Sequence, residues 1–252
     1  TGAISAIITD STGRRYFCKQ TTDPVMMLRM PRGLAIADAL ATYGLSFVVA
    51  PLRGKNSALY MTRDNSLLSL FPHIDGTPTR DYAPEMLGAT LGAVHGATSF
   101  LKLDIPPQGH ASVYDDFFMR GIPAFLQSRP PEDTPRGGLW RMIMQNEDRL
   151  LRYREIFYQL GAAAVTAPVI THGDLQGNVL LGRNGGLHII DWDEAELAPP
   201  ERDLWYLSNL SGFMRGYGTM RRGFTPDPRE LLHGALKAWI EGLAMLATAI
   251  ID

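Results

Sequence analysis

The sequence predicts an α+β fold with two lobes, a small β-rich N-terminal lobe and a larger, mostly helical C-terminal lobe. Two observations predict it: short β-prone runs fill residues 3–72, and longer runs with helical periodicity dominate from residue 84 onward. Strand-rich and helix-rich segments that follow one another along a chain are typical of α+β proteins. We therefore expect an N-terminal lobe over residues 1–76 and a C-terminal lobe over residues 77–252.

The first lobe begins with a predicted hairpin. The β-prone runs Ala3–Thr9 and Arg14–Gln20 flank the turn-forming sequence DSTG. A helix is predicted over Pro31–Tyr43, because proline is favoured in the first turn of a helix and glycine, here Gly44, just beyond the last. Further strands are predicted at Ser46–Ala50, Ala58–Thr62 and Leu67–Pro72.

The second lobe is predicted to be helical around one hairpin. A helix over residues 84–98 places Leu87, Leu91 and Val94 on one face. Two short apolar runs, at residues 179–181 and 187–190, flank the sequence GRNGG, which indicates a β-hairpin. The other predicted elements are a loop at residues 73–78 and helices at Asp115–Gln127, Leu139–Leu160, Glu201–Arg215 and Arg229–Ile250.

Composition and charge exclude several classes of function. The net charge is −2 and 45% of the residues are hydrophobic, so we expect neither a nucleic-acid partner nor a membrane partner. The single cysteine, Cys18, excludes an internal disulfide and favours a cytoplasmic location. The apolar run Ala235–Ile251 carries Lys237 and Glu241, which favours a buried helix over a membrane span.

Two short segments carry residues suited to phosphoryl transfer. They are THGDLQGN at residues 171–178 and IIDWD at residues 189–193, with the predicted hairpin between them. Phosphoryl transfer needs a carboxylate that accepts a proton from the attacking hydroxyl, and oxygen ligands that hold Mg²⁺ against a triphosphate. Asp174, Asn178 and Asp191 supply these groups at loop–strand junctions. Such residues are also common in ordinary turns, but their occurrence in both segments favours a site.

The same segments resemble a known family. The sequence HGDL at residues 172–175, then Asn178, then IDW at residues 190–192, resembles the catalytic signature of the aminoglycoside phosphotransferase and choline kinase-like family. The sequence EAELAPPERDL at residues 194–204 resembles the spectinomycin phosphotransferase branch in particular. The resemblance implies a protein-kinase-like fold, ATP with Mg²⁺ as the phosphate donor, and a small molecule with a hydroxyl group as the acceptor.

The resemblance also implies roles for individual residues of the catalytic segments. Asp174 is expected as the catalytic base, and Asn178 and Asp191 as the metal ligands. His172 is expected to brace the loop that contains Asp191, called here the metal loop (residues 190–194). Asp203, at the start of a helix, is expected to anchor the loop that contains Asp174, called here the catalytic loop (residues 172–178). The last two are therefore structural supports.

The nucleotide site implied by the resemblance lies in the first lobe. Lys19, in the second strand, matches the phosphate-contacting lysine of the family. Gly2 and Ser5 are candidates for a remnant of the nucleotide loop, where glycine lets the backbone approach a phosphate. The sequence LFPHIDG at residues 70–76 resembles the interlobe hinge that binds adenine. The hinge residues expected in the cofactor site are Phe71, His73 and Ile74.

Two departures from the family pattern bear on the site. The family offers a glutamate on the first helix to pair with the strand lysine, whereas the only acid between residues 31 and 43 is Asp38. Either Asp38 serves at a shorter reach, or the lysine has no such partner. The spacing from Asp174 to Asn178 is also one residue shorter than usual. We expect Gly177 to absorb the change, since glycine adopts positive φ at little cost.

The sequence therefore predicts an ATP-dependent phosphotransferase that modifies a hydroxyl group of a small molecule. The resemblance favours an aminoglycoside or aminocyclitol antibiotic, and hence a cationic acceptor and a role in antibiotic resistance. Two alternatives remain open: a kinase of a metabolic hydroxyl compound such as choline, a sugar or an amino alcohol, and a nucleotide-binding pseudokinase without turnover. The acids that are candidates for binding a cationic acceptor are Asp115, Asp116, Glu194 and Glu196.

Overall fold

The computed structural model describes residues 3–78, 82–105, 115–161 and 167–251. The chain divides into two compact units. The first is drawn from Thr1–Gln108 and Ala167–Thr225, and the second from Gly109–Thr166 and Pro226–Asp252. This division differs from the predicted pair of lobes, whose boundary at residue 76 stays a prediction.

The elements confirm the α+β class. The strands, in chain order, are β1 (Ala3–Thr9), β2 (Arg15–Thr21), β3 (Met61–Arg63), β4 (Ser66–Pro72), β5 (Gly76–Pro78), β6 (Val169–Thr171), β7 (Val179–Gly182), β8 (Leu187–Ile189) and β9 (Glu196–Ala198). The α-helices are α1 (Pro24–Tyr43), α2 (Pro84–Ala97), α3 (Ile122–Ser128), α4 (Pro135–Leu160), α5 (Glu201–Leu204), α6 (Phe213–Met220) and α7 (Pro228–Ile251). Short 3₁₀ turns lie at Thr98–Phe100 and Trp192–Glu194, and a π-helical turn lies at Phe117–Gly121.

A four-stranded antiparallel sheet with the order β1-β2-β4-β3 forms the beginning of the first unit. The predicted hairpin between β1 and β2 is confirmed. Its turn is held by Asp10, whose Oδ1 accepts hydrogen bonds from the backbone N–H groups of Thr12 at 2.8 Å and Arg14 at 3.0 Å. The register pairs Lys19 with Ser5 on β1. Directly paired residues face the same side of a sheet, so both side chains lie on one face.

Helix α1 begins at Pro24, and the prediction that it begins at Pro31 is wrong. The carboxylate of Asp23 accepts hydrogen bonds from the N–H groups of Val25 and Met26, both at 2.9 Å, and so caps the helix. Pro31 lies inside the helix, where it lacks one N–H donor. The cap and a proline in the first turn therefore determine the start. Gly44, with φ of 111°, ends the helix as predicted.

The segment Ser46–Ala50 is not a strand, contrary to the prediction. Within it, Val48 makes a single parallel bridge to Ile189 of β8, and Val49 donates its N–H to the carbonyl of Ile189 at 2.9 Å. A single bridge does not make a strand, and Pro51, which follows the segment, has no N–H group to extend the pairing.

The prediction of a loop at residues 73–78 is wrong for residues 76–78, because these residues form β5, which pairs with β7.

The predicted helix Glu201–Arg215 is interrupted, because α5 ends at Leu204 and α6 begins at Phe213. Gly212, immediately before α6, has φ of 87°, a left-handed conformation that a continuous helix does not contain. The separate helix α6 packs closely on α2. A Cβ added to Gly216 would lie 1.9 Å from the carbonyl oxygen of Glu85, so this contact requires glycine.

The second unit contains α3, α4 and α7. Among the described residues, α7 is the one helix that is long and apolar enough to cross a membrane by length and composition, and 22% of its most apolar window is buried. Ile240 and Ala244 are buried in the same core cluster as Phe157 of α4, whereas Met245 and Leu246 are exposed. The predicted buried helix is therefore buried along one face only.

Candidate active site

A pocket of about 270 Å³ opens beside the four-stranded sheet of the first unit. Apolar side chains supply much of its wall, and a lysine and an aspartate, Lys19 and Asp191, face it as well. The predicted nucleotide residues that line this pocket are Ser5, Lys19, Phe71, His73 and Ile74. Gly2, the remaining candidate, lies outside the described residues. The structure thus brings these candidates together, while their roles stay predictions.

Lys19 is bound to two carboxylates on the loop that follows β8. Its Nζ donates to Asp191 Oδ1 at 2.6 Å and also to Asp193 Oδ2. Burial alone would lower the pKa of Lys19, but the charges of the two aspartates outweigh it and raise the pKa. The lysine is therefore held in its charged form at the edge of the pocket.

The backbone of Asp191 explains how both aspartates reach Lys19. Asp191 has φ of 60° and ψ of 62°, the left-handed conformation, which aspartate tolerates better than most residues. The chain turns there from β8 into the 3₁₀ turn Trp192–Glu194. This turn places the carboxylates of residues 191 and 193 around one ammonium group.

Asp38, the one acid on α1, does not pair with Lys19. Its carboxylate accepts two hydrogen bonds from the guanidinium group of Arg53, at 3.0 and 2.5 Å. The helix faces the loop after β8 with cations instead: Arg29 donates to the Glu194 carboxylate at 2.6 and 2.8 Å. The acids that bind Lys19 are therefore on the loop after β8 and not on α1.

Gly177, in the segment between Asp174 and Asn178, adopts the positive φ that the sequence predicted. Gly177 has φ of 82°, and the N–H of Asn178 donates to the carbonyl of Leu175 at 3.2 Å. The carbonyl of Asn178 accepts the N–H of Ile190 at 3.0 Å. Hairpin register therefore ties the end of the catalytic loop to the residue before Asp191.

His172 braces the catalytic loop against the metal loop. It is fully buried, and its Nε2 lies 2.8 Å from the carbonyl oxygen of Ile190. Since a carbonyl only accepts, Nε2 carries the proton, and Nδ1 accepts the N–H of Asp174 at 3.2 Å. Burial lowers the pKa of His172, which is consistent with this neutral tautomer. Both ring nitrogens are used, so the predicted brace has a direct geometric basis.

Asp203 anchors the start of the catalytic loop through two hydrogen bonds to its backbone. Its carboxylate accepts the N–H of His172 at 2.8 Å and the N–H of Gly173 at 2.7 Å. His95 Nε2 lies 3.1 Å from the same carboxylate. Burial would raise the pKa of Asp203, but the hydrogen bond from His95 and the surrounding positive charges lower it overall. The buried carboxylate therefore stays ionised and holds the backbone that leads to Asp174.

Asp174 stands in a negatively charged setting. Partial burial of its carboxyl raises its pKa, and the nearby Asp191 and Glu194 carboxylates raise it further. The Nδ2 of Asn178 donates to the carbonyl oxygen of Asp174 at 2.7 Å and lies 3.3 Å from its Oδ2. A carboxylate with a raised pKa and a fixed orientation is suited to accepting a proton.

Asn178 and Asp191 fit a magnesium ion by their chemistry. The amide nitrogen of Asn178 is bound to Asp174, so its oxygen is the end left for a cation. The side chain of Asp191 is 40% exposed and lines the pocket. Among the described residues no cluster of three His, Cys, Asp or Glu side chains could hold a metal. Mg²⁺ often takes one or two protein oxygens and completes its shell with phosphates and water, so an amide oxygen and a carboxylate are suitable ligands for it.

The four acids predicted to bind a cationic acceptor all have arginine partners. Glu196 is buried and pairs with Arg202 at 3.0 Å, and Glu194 pairs with Arg29. In the second unit, Asp115 pairs with Arg154 at 2.6 Å and Asp116 with Arg120 at 2.5 Å. Their role in acceptor binding stays a prediction.

Sequence reasoning missed Asp193, Arg29 and Gly33. Asp193 follows Asp191 by two residues. This spacing identifies Asp193 as a second partner of Lys19 only when the turn at Asp191 is known. Gly33 lets α1 touch the backbone of the metal loop, because a Cβ there would lie 2.1 Å from the carbonyl oxygen of Trp192. The sequence shows only a glycine inside a helix, which usually lowers helix stability.

We expect Gly33→Ala to destabilise the protein by about 1–3 kcal/mol, the usual cost of overpacking. The added methyl group would force α1 away from the metal loop. Chemical denaturation measures the effect. Gly218→Ala is the matched control, since it lies in α6 with nothing within 4 Å of the added Cβ. The control should be neutral or stabilising, and equal effects of the two variants would contradict the close contact.

Comparison with known proteins places the chain in one family. The model of the "Phosphotransferase enzyme family" matches residues 5–244. Protein StrN of Streptomyces griseus is 27% identical over 199 residues, which cover 72% of this chain. The chain spans 61% of the length of that curated relative.

Solved structures agree with this result at the level of the fold. Spectinomycin phosphotransferase APH(9)-Ia, in complex with ADP and spectinomycin, is 19% identical with a TM-score of 0.72, covering 97% of this chain and 78% of its own. The amicoumacin kinase hAmiN, in complex with AMP-PNP, Ca²⁺ and Ami, is 16% identical with a TM-score of 0.61, covering 99% and 79%. The predicted kinase-like fold is thereby confirmed.

Proposed function

The chain belongs to the phosphotransferase enzyme family, and on that basis we propose that it transfers the γ-phosphoryl group of ATP to a hydroxyl group of a small molecule. The observation that carries this proposal is the pocket in which a charged lysine and an aspartate lie beside apolar walls. Apolar walls suit a purine base, and an adjacent ammonium group suits its phosphates. ADP and AMP-PNP are bound by the two solved relatives named above.

In the proposed mechanism, the residues of the chain position the reactants and accept one proton. Lys19 binds the donor phosphates. The oxygens of Asn178 and Asp191 would hold Mg²⁺, which would offset the charge of the phosphates. Asp174 accepts the proton of the attacking hydroxyl at a carboxylate oxygen, which Asn178 Nδ2 keeps in place. Such a site works mainly by positioning and by electrostatic stabilisation.

We propose an aminoglycoside or aminocyclitol antibiotic as the acceptor. Two observations support this choice. Burial first, and then the carboxylates of Asp191 and Glu194, raise the pKa of Asp174, and negative charge beside this carboxyl favours a cationic acceptor. Spectinomycin and amicoumacin are also the molecules named for the two solved relatives. A cytoplasmic location, where ATP is available, is part of the proposal.

An acceptor panel tests the proposal. ADP release from Mg-ATP is measured with spectinomycin, several aminoglycosides, choline, ethanolamine and a hexose. We expect at least one antibiotic to stimulate ADP release. Activity confined to a metabolite would contradict the antibiotic acceptor and favour a metabolic kinase. ATP binding without turnover on any acceptor would favour a pseudokinase.

The pH dependence of the reaction offers a further prediction. The pKa of Asp174 lies above its ordinary value of 3.8. A base acts in its ionised form, so activity should be present above the raised pKa and lost as the pH falls through it. We therefore expect the acidic limb of kcat/KM against pH to lie above pH 3.8. Circular dichroism at each pH separates this limb from unfolding, and a limb at or below that value would contradict the role of Asp174.

A further inference from the structure

The pair of carboxylates around Lys19 is unequal. The side chain of Asp193 is 9% exposed, whereas that of Asp191 is 40% exposed. Asp191 lines the pocket, and Asp193 is absent from the residues that line it. One carboxylate thus faces the pocket and the other supports the lysine from the protein side.

A buried ammonium group needs a partner at all times. A buried charge that loses its partner is strongly destabilising. If Asp191 were the sole partner of Lys19, a metal ion and the lysine would compete for the negative charge of one carboxylate. Asp193 removes this conflict, because its contact with Lys19 does not involve the pocket face.

Helix α1 cannot supply the partner in this chain. Its one acid, Asp38, is bound by Arg53 through two hydrogen bonds. Across the contact between α1 and the metal loop the helix contributes the cation Arg29, and the loop contributes the acid Glu194. The acid that a strand lysine needs is therefore carried by the loop.

The fold also fixes the backbone of Asp193. The Cβ position of Gly33 lies 3.0 Å from the Cα of Asp193, so α1 and the loop are in direct contact there. The indole N–H of Trp192 donates to the carbonyl of Ile189 at 3.1 Å, which closes the turn. A residue held in this way has little freedom to leave Lys19.

We propose that Asp193 is the positioning residue for Lys19, taking the place of an acid on α1, and that it keeps Lys19 paired when Asp191 is used at the pocket. The inference rests on the proposed function, since it assigns Lys19 to the phosphates of a nucleotide. Asp193 acts only through Lys19 and does not touch the nucleotide.

Nucleotide binding without metal provides the test, because it needs no turnover. The affinity for ATP in the presence of EDTA is measured by calorimetry. We expect Asp193→Asn to weaken binding roughly tenfold, the scale of one charge-assisted hydrogen bond. Asp38→Asn is the matched control: it removes an acid from α1 and should leave the affinity within about twofold, as for a partly exposed surface pair. Asp191→Asn should mainly abolish the gain in affinity on adding Mg²⁺.

A double-variant cycle tests whether Asp193 affects ATP binding through Lys19. In a Lys19→Met background, Asp193→Asn should cause no further loss of affinity, because residues that act as one unit are not additive. The double variant carries neither the Lys19 ammonium group nor the Asp193 carboxylate, so it can be measured even if Asp193→Asn alone fails to fold. Equal affinities of Asp193→Asn and Asp38→Asn, an additive cycle, or an Asp193→Asn effect seen only with Mg²⁺ would each overturn the inference while the proposed function stands. A wild-type chain that binds no ATP would overturn both.

Discussion

Asp174→Asn is expected to lower kcat by roughly 10²–10⁴-fold, the usual contribution of a general base. Asparagine keeps the size of the side chain but cannot accept the proton of the attacking hydroxyl. Asn178 Nδ2 contacts both the carbonyl oxygen and Oδ2 of residue 174. The substitution does not alter the first contact, and the amide oxygen of asparagine can accept the second. The affinity for ATP should therefore change little, and the melting temperature should stay close to that of the wild type.

Steady-state kinetics with a responsive acceptor measures this effect. Asp64→Asn is the control, since the Asp64 side chain is 87% exposed and its left-handed backbone suits asparagine equally well. The control should keep the wild-type kcat. Near-native turnover in Asp174→Asn would remove Asp174 from the mechanism and would require another proton acceptor.

Asp203→Asn is expected to destabilise the protein by about 3–5 kcal/mol, as for the loss of one member of a buried ionic network. The carboxylate accepts hydrogen bonds from two backbone N–H groups of the catalytic loop and from His95. In asparagine an NH₂ group replaces one of the two carboxylate oxygens. This donor would face a donor group of the protein that the lost oxygen had accepted. Because the loop leads directly to Asp174, kcat should fall as well.

Urea denaturation gives the free energy of unfolding for this variant. The lowered pKa of Asp203 means that its contribution is present above the ordinary value of 3.8 and is lost as the pH falls through the lowered pKa. The difference between wild type and Asp203→Asn should therefore be constant near neutral pH and shrink in strong acid. Asp64→Asn again serves as the control, and a similar small effect in both variants would contradict the anchoring role.

Much of the fold was predictable because the deciding features are local. The β1–β2 hairpin follows from its turn, and α2 from the spacing of its apolar residues. The start of α1 was mispredicted because the sequence offers two prolines, Pro24 and Pro31, for the first turn. The helix begins at Pro24 because the side chain of Asp23 caps it there. Ser46–Ala50 was mispredicted because its apolar residues pack beside β8 without forming a ladder. Local propensity does not distinguish these outcomes, since tertiary contacts decide them.

The part of the candidate site that lies in sequence motifs was predictable. Apart from Gly2, which lies outside the described residues, the residues assigned to the nucleotide line one pocket. The register of β1, β2 and β4 and the segment after β4 place them there. The partner of Lys19 was not predictable, since Asp193 lies 174 residues away in the chain. Its assignment depends on the left-handed turn at Asp191 and on the contact at Gly33. Neither feature leaves a local pattern in the sequence.

Transfer of a phosphoryl group to a small-molecule hydroxyl is tested most directly by mass spectrometry of the acceptor after incubation with Mg-ATP. We expect one phosphoryl group on the acceptor for each ADP formed, attached as an ester that ³¹P NMR assigns to a hydroxyl. The Asp174→Asn chain should form this product at a rate reduced as stated above. ADP formed with inorganic phosphate, and no phosphorylated acceptor from any antibiotic or metabolite in the panel, would contradict the proposed function.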